Sequence, residues 1–542
     1  MEKRAILAIA ISIAILFIYN EIFLKKYQPQ QQNPQTQSIT AKKVEKKPEI
    51  PVVKQKPVID KKEIIGQFKE NIITVENNLF KLDFTNRGGA LLKCVLKKYY
   101  KTVRKRENVI LFDTLKYPEF NNIISINGTT LKNIEYNANS DKKHVIVKDK
   151  PFELVYSYKN NGITIKKIYK IFPDKYEVQL NYVIINNTSN NLNISNSTLY
   201  YHSSNIKKRR YLFEGPSFLV NGVLKEVDIK KIKKNGVIEY KNNISWLGYS
   251  RIYFLSVMLK RNSYFDSGKT YLKGENVVIE GIKKYNIGKN DFAKDINSIY
   301  LGPKKYDILA SYHAGLERSI NFGIFYFLAK PLLIVLNWFY KFIPNYGIAI
   351  ILLTILIKLI FYPLTNKSYE SMKKMKEIQP YVQKLKEMYK DDKVKFNQQV
   401  MELYKKHKVN PFGGCLPIII QIPVFFALYK TLLVAIELRH APFIKYLPFT
   451  HKYWLVDLSA KDPYYITPIL MGISMFIQQK MTPTGGTDPL QEKIMLFMPI
   501  FLTFLFLNFP SGLVLYWLVN NILSIIQQYY VEKKFSKGSV KK

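Results

Sequence analysis

The sequence predicts an α-helical membrane protein with six transmembrane helices, a large exported all-β sandwich domain and a cytoplasmic helical hairpin. Three observations lead there. Apolar residues concentrate in one run near the N-terminus and in five segments after Phe322, each approaching the ~30 Å thickness of a bilayer's hydrocarbon core. Between them, residues 66–310 alternate apolar and polar side chains in short runs separated by Asn and Gly, the period of half-buried antiparallel strands. Lysine, finally, is unequally distributed on the two sides of the apolar segments. At 542 residues the chain is also too long for one ordinary core.

The first apolar run follows Glu2, Lys3 and Arg4 and resembles a secretory signal, but no small-residue cleavage site succeeds it. It continues through Asn20 and Glu21 to Leu24, about 20 residues or ~30 Å of helix, before Lys25 and Lys26. An uncleaved anchor over 1–26, with its N-terminus in the cytoplasm, is the expectation. Residues 27–65, rich in Gln, Pro, Lys and Thr as in QPQQQNPQTQ, read as a solvated linker.

Within 66–310, stretches such as ITIKKIY from Ile163 and YEVQLNYV from Tyr176 carry the two-residue period, and their number predicts one large sandwich. Cys94 falls here and Cys415 at a membrane boundary, so no disulfide framework is expected and the domain must rely on its own core. Residues 315–343 mix aromatics and aliphatics with Lys330, Pro331, Asn337 and Lys341, and Trp338 and several Tyr gather near one end. That distribution predicts an amphipathic helix lying in the interface rather than a crossing.

A core over 344–530 holds the remaining spans, at about 346–364, 416–436, 466–481, 494–508 and 512–530. An N-in start places 365–415, 482–493 and the basic tail 531–542 in the cytoplasm, and the lysines agree. Twelve lie within 365–410, whereas the outer loop 438–465 carries only Arg439, Lys445, Lys452 and Lys461. Met372, Met375, Ile378, Val382, Leu385 and Tyr389, then Phe396, Val400 and Leu403 beyond Asp391 and Asp392, recur every three or four residues and predict a helical hairpin over 365–410.

The net charge of +41 is mostly a general lysine enrichment, since it accompanies abundant Asn and Ile along the whole chain. No RNA-recognition motif or zinc-finger spacing is present, which argues against nucleic-acid sequence recognition and leaves anionic lipid as the partner for local basic clusters. Ser267-Gly268-Lys269-Thr270 lacks the first glycine of a phosphate loop, where Ser263 stands. HExxH, GxSxG and CxxC are absent, so no enzyme, cofactor or metal is expected.

The spans do contain polar groups that hydrocarbon would not tolerate: Thr354, Lys358, Gln421, Ser474, Gln478, Thr503, Tyr516, Asn520 and Ser524. Thr354 and Lys358, Ser474 and Gln478, and Tyr516, Asn520 and Ser524 each share a helix face, so packed together they would line one wet cavity. Interhelical hydrogen bonding accounts for any one of them equally well. Lys358 is harder to absorb. It lies twelve residues past Tyr346, ~18 Å into the membrane. Either it snorkels to the cytoplasmic headgroups or it serves a cavity, because a charge at mid-bilayer costs about 2.5–3.5 kcal/mol even on lenient scales. Lys430, in the outer half of its span, is read as snorkelling.

The strings YPLTNKSYESMKKMKEIQP from Tyr362, NPFGGCLPIIIQIPVFFALY from Asn410, DPYYITPILMGISMF from Asp462 and FPSGLVLYWLVNNILSIIQQ from Phe509 resemble the bacterial YidC insertase family. Gly88-Gly89, Trp246, Tyr253-Phe254 and Leu301-Gly302-Pro303 look like that family's periplasmic domain, which marks its Gram-negative form. The resemblance implies a five-helix core around a hydrophilic groove open to cytoplasm and lipid. It also implies a multi-pass protein of the cell inner membrane, a chaperone that inserts nascent membrane proteins alone or with the Sec translocon. Ribosome contact through the hairpin and basic tail is a further expectation. The family's groove carries a positive residue on the second span, usually arginine, and Lys358 matches that position without arginine's bidentate fork. Groove residues are then Lys358, Thr354, Gln421, Tyr516 and Asn520, and Ile422, Phe425, Leu505, Phe506 and Phe509 are candidates for an apolar exit surface. The alternative, a secondary transporter with an intramembrane Lys358 site, would require repeated halves, and none is visible.

Overall fold

The computed structural model describes residues 69–539 apart from 104, 115–116, 132–133, 205–211, 408–415 and 482–488. The expected anchor 1–26, the linker 27–65 and Cys415 lie outside the described residues.

The alternating region forms two β-sheets. The smaller has five strands in the order Asn108–Asp113, Ala90–Tyr100, Phe80–Thr85, Ile72–Glu76 and His144–Ile146. The larger has 14 strands, in which Ile163–Ile171 pairs antiparallel with both Phe152–Asn160 and Glu177–Asn186. Their inner faces share one core, with Phe80, Phe84, Phe120, Phe218 and Trp246 fully buried. Cys94 is buried and unpaired, and Ser267 to Thr270 sit within the strand Phe265–Lys273 rather than in a loop before a helix.

One strand departs from the simple inside-outside rule. In Ile163–Ile171 the buried positions are Ile165, Lys167, Tyr169 and Ile171, so a lysine points inward. Its Nζ donates to the Gly88 carbonyl at 2.9 Å and the Phe120 carbonyl at 3.3 Å. Desolvation holds this ammonium well below the usual lysine pKa. Gly88 and Gly89 make the turn it grips, with φ of 69° and 50°, and a Cβ on Gly89 would press on Tyr156 Cβ at 3.0 Å.

Two short helices accompany the sheets, α1 (Ile229–Asn235) and α2 (Tyr306–Ala310). The helical region then comprises α3 (Tyr326–Phe342), α4 (Tyr346–Met388), α5 (Lys393–Lys406), α6 (Leu416–Val434), α7 (Ile466–Met481), α8 (Pro489–Phe506) and α9 (Ser511–Ser539). Asn345 starts α4 by accepting from the Gly347 and Ile348 amides, and Asp392 starts α5 by accepting from Lys395 N at 2.9 Å. The second apolar segment and the first arm of the hairpin are one 43-residue helix, which runs through Pro363 and Pro380. α5 folds back on that arm, burying Ile378 and Val382 against Phe396, Val400 and Tyr404. α9 packs along α4 and α7, α3 along α4 and α6, and α7 along α8.

Among the described residues, Gly323–Phe342 and Tyr346–Met388 are long and apolar enough to cross a membrane, and Gln421–Val434 and Leu496–Phe506 are shorter apolar stretches. Exposed Ile469, Ile473 and Ile477 on α7 and Phe497, Phe501 and Phe504 on α8 make an apolar belt of the kind that lipid covers. The β region is fastened to the loop after α6: Arg439 Nη2 donates to the Tyr100 carbonyl at 2.5 Å, and its guanidinium lies 5.5 Å from the Phe254 ring centroid. The Lys330 ammonium of α3 lies 4.9 Å from the Tyr306 ring centroid of α2.

Candidate functional site

The polar residues of the helices converge on the seam where α9 meets α4, α6 and α7. Lys358 is 8% exposed, and its Nζ donates to Ser524 Oγ at 2.6 Å, joining α4 to α9. Ser524 in turn donates to the Asn520 carbonyl one turn earlier at 2.7 Å. Gln421 Nε2 donates to Asn520 Oδ1 at 3.2 Å, which brings α6 to the same point on α9. Among the described residues no carboxylate pairs with Lys358, whose hydrogen-bond partner is a hydroxyl. An ammonium so placed has little solvent and no countercharge, so a carboxylate presented to it gains more than it would in water.

The remaining sequence candidates fall in different places. Thr354 is 1% exposed and bonds back to the Ile350 carbonyl of its own helix at 2.7 Å, and Tyr516 is buried. Ser474 does not extend the Lys358 cluster; its hydroxyl accepts from Asn521 Nδ2 at 3.0 Å on the neighbouring face of α9. Thr503 bonds to the Pro499 carbonyl of α8 at 2.7 Å and abuts Gly472 of α7. Below Lys358, Gln527 Nε2 donates to Thr365 Oγ1 at 2.8 Å, and Gln528 Nε2 to the Met481 carbonyl at 2.8 Å. Asn521, Gln527 and Gln528 escaped the sequence reading. The signal was present, since Asn521, Ser524 and Gln528 recur at three and four residues.

The five apolar candidates separate into two groups. Ile422 and Leu505 are 38% and 47% exposed. Phe506 turns inward at 4% exposed, with its ring 4.9 Å from Phe509 and 5.2 Å from Trp517. Phe425 joins this cluster at 4.7 Å from Trp517. Sequence periodicity missed Trp517 and Tyr429, which complete an aromatic clasp between α6, α8 and α9.

Comparison with known proteins places this architecture. The family model of the 60Kd inner membrane protein matches residues 338–538, and that of the YidC periplasmic domain matches residues 72–335. The membrane protein insertase YidC of Syntrophus aciditrophicus (strain SB) is 40% identical over 561 residues, covering 98% of this chain and 100% of the relative. The membrane protein insertase YidC of Geotalea uraniireducens (strain Rf4) is 38% identical over 546 residues, covering 98% and 99%. Among solved structures, the active YidC insertase crystal structure with its first transmembrane domain resolved covers 85% of this chain and 95% of its own, at 20% identity and a TM-score of 0.38. With this identity sustained along nearly its whole length, the chain belongs to the YidC family of membrane protein insertases.

Proposed function

We propose that this inner-membrane protein inserts nascent membrane proteins along a polar path whose charged point is Lys358. The observation that carries the proposal is the buried ammonium held between α4 and α9 by a serine hydroxyl instead of a carboxylate. An incoming tail with acidic side chains offers Lys358 a stronger partner than Ser524, while the half-buried Gln421 and Asn520 supply polar surface beside it and Thr354 and Tyr516 stay buried among the helices. The substrate's apolar helix leaves past Ile422 and Leu505, with the Phe425, Phe506 and Phe509 clasp behind them. Burial of that helix in lipid supplies the driving force, roughly 25 cal/mol per Å² of apolar surface, so no nucleotide is consumed.

The all-β region is the periplasmic domain of the family. Around it we place an anchor over 1–26, a linker over 27–65, an interfacial helix over 315–343, a core over 344–530 and a basic tail over 531–542. The chain crosses the membrane six times, with both termini and the hairpin 365–410 in the cytoplasm. The lysine asymmetry supports this orientation, and the contact between Lys330 and Tyr306 supports an α3 that lies under the β domain. Lys374, Lys376, Lys384, Lys386 and Lys390 are exposed on the hairpin and give it a surface for the ribosome and for anionic lipid. Larger substrates pass through the Sec translocon, with this protein receiving their spans.

Reconstitution in liposomes with single-span substrates tests the role of Lys358. Lys358→Arg should retain insertion, because the cation is kept. Lys358→Glu should slow acidic-tailed substrates by roughly tenfold or more and neutral-tailed ones far less, since a like charge replaces an opposite one. If Lys358→Ala inserts every substrate as the unaltered protein does, the anchor role is wrong and Lys358 merely snorkels.

A further inference from the structure

A second polar cavity, unrelated to the Lys358 seam, lies where the β domain meets the end of α6. Its volume is about 80 Å³. A single water needs only about 10–15 Å³ on the same measure, so the space admits several waters or one tetrahedral oxyanion. Two ammonium groups line it, Lys304 from the end of the last long strand and Lys430 from α6. Lys304 is 5% exposed and donates to the Ser319 carbonyl at 3.1 Å. The Ser319 hydroxyl, 1% exposed and also lining the cavity, has no hydrogen-bond partner among the described residues. A buried hydroxyl in that state is destabilising unless something occupies the space beside it.

The charges are compatible with an anion. Glu226 is the one carboxylate in the lining, against two lysines; it accepts from Asn321 Nδ2 at 2.8 Å, and burial raises its pKa while Asn321, Lys304 and Lys430 pull it down. Glu214, which also acts on Lys304, is paired with Arg251 at 3.8 Å. Burial lowers the Lys304 pKa to about 8, so an arriving anion would restore its full charge. Ile252, Ile320 and Val434 form an apolar side of the same cavity. Gly323 lies beside the stem of Lys430: a Cβ on it would stand 3.7 Å from Lys430 Cε.

We infer that this cavity binds a phosphate group, held by Lys304, Lys430 and the Ser319 hydroxyl, and that the phosphate is the headgroup of a phospholipid at the outer surface of the membrane. The apolar side and the position at the end of α6 favour a lipid over free phosphate. The inference rests on the outer-side placement of that helix end proposed above, but binding is read without any insertion assay, so the two stand or fall separately. Lipid bound in this place would tie the β domain to the bilayer directly above α6.

The test uses the full chain purified in detergent from vesicles of phosphatidylethanolamine and phosphatidylglycerol. Native mass spectrometry should find one retained phospholipid, its occupancy falling roughly tenfold in Lys430→Gln, about 1.4 kcal/mol, and recovering in Lys430→Arg. Lys341→Gln, at an exposed position near the end of α3, serves as the control and should retain it. Inorganic phosphate, titrated against lipid-stripped protein, provides the other arm. A rise in unfolding temperature that Lys430→Gln abolishes, without any retained lipid, would keep the phosphate site and overturn the lipid as its source. Lipid retention that is the same in Lys430→Gln as in the unaltered chain, together with no response to inorganic phosphate, would overturn the site.

Discussion

Ser524→Ala separates the two states that the insertion mechanism requires. In the resting protein the Lys358 ammonium donates to Ser524 Oγ at 2.6 Å with 8% exposure. A hydrogen bond to a charged group contributes about 1.5–3 kcal/mol, and its loss leaves the ammonium with little water to replace it. The substrate-bound state, in which a carboxylate occupies the ammonium, does not need Ser524. Raising the resting state alone therefore tightens the protein's grip on an acidic tail by the same free energy, roughly tenfold to a hundredfold. Thermal unfolding of the helical region should shift down by a few degrees in the same variant. The assay is fluorescence anisotropy of an acidic-tailed single-span peptide against protein in nanodiscs, alongside a neutral-tailed peptide. Tighter binding of both peptides, or of neither, would refute the reasoning, because only the carboxylate competes with Ser524 for the ammonium.

Two further outcomes follow from the β domain and the topology. Residues 66–310 should fold as a soluble fragment with a stability plateau between about pH 4.5 and 6.5, where the opposed slopes of two buried groups cancel, leaving one slope alone on each flank. Folding keeps Glu119 protonated by burial, its pKa raised to about 8, so stability falls as pH rises from 4.5 towards 8. Burial and the nearby Arg251 hold the His202 pKa down to about 3, so stability falls as pH drops from 6.5 towards 3. Each flank has a slope of at most about 1.4 kcal/mol per pH unit, and Glu119→Gln should flatten the alkaline one in urea denaturation; an unchanged alkaline slope would remove Glu119 as its cause. Cysteine-accessibility labelling tests orientation: Ser536→Cys should react only after the inner membrane is breached, and modification from the periplasmic side of intact cells would exclude a cytoplasmic C-terminus.

Much of this molecule was legible in its residue order, and the limits of that legibility are physical. A two-residue period in ITIKKIY assigns side chains to the two faces of a strand, and it correctly implied sheets between Ile72 and Pro303. It could not show that Lys167 would face inward, because the Gly88 and Phe120 carbonyls that satisfy it belong to segments 79 and 47 positions away. Polar residues at four-residue spacing likewise put Lys358 on one face of α4 and Ser524 on one face of α9. That these faces meet, across 166 positions, is a property of helix packing. The same limit explains Phe506: its apolar character fitted a lipid-facing position, and only the rotation of α8 against Trp517 turned it inward. Length, charge asymmetry and period are local quantities, and the sequence by itself determined the membrane class, the β domain and the family likeness through them. Tertiary structure alone decided that the ammonium of Lys358 rests on a hydroxyl and that Lys304 and Lys430 share a cavity, because both depend on which distant faces bury one another.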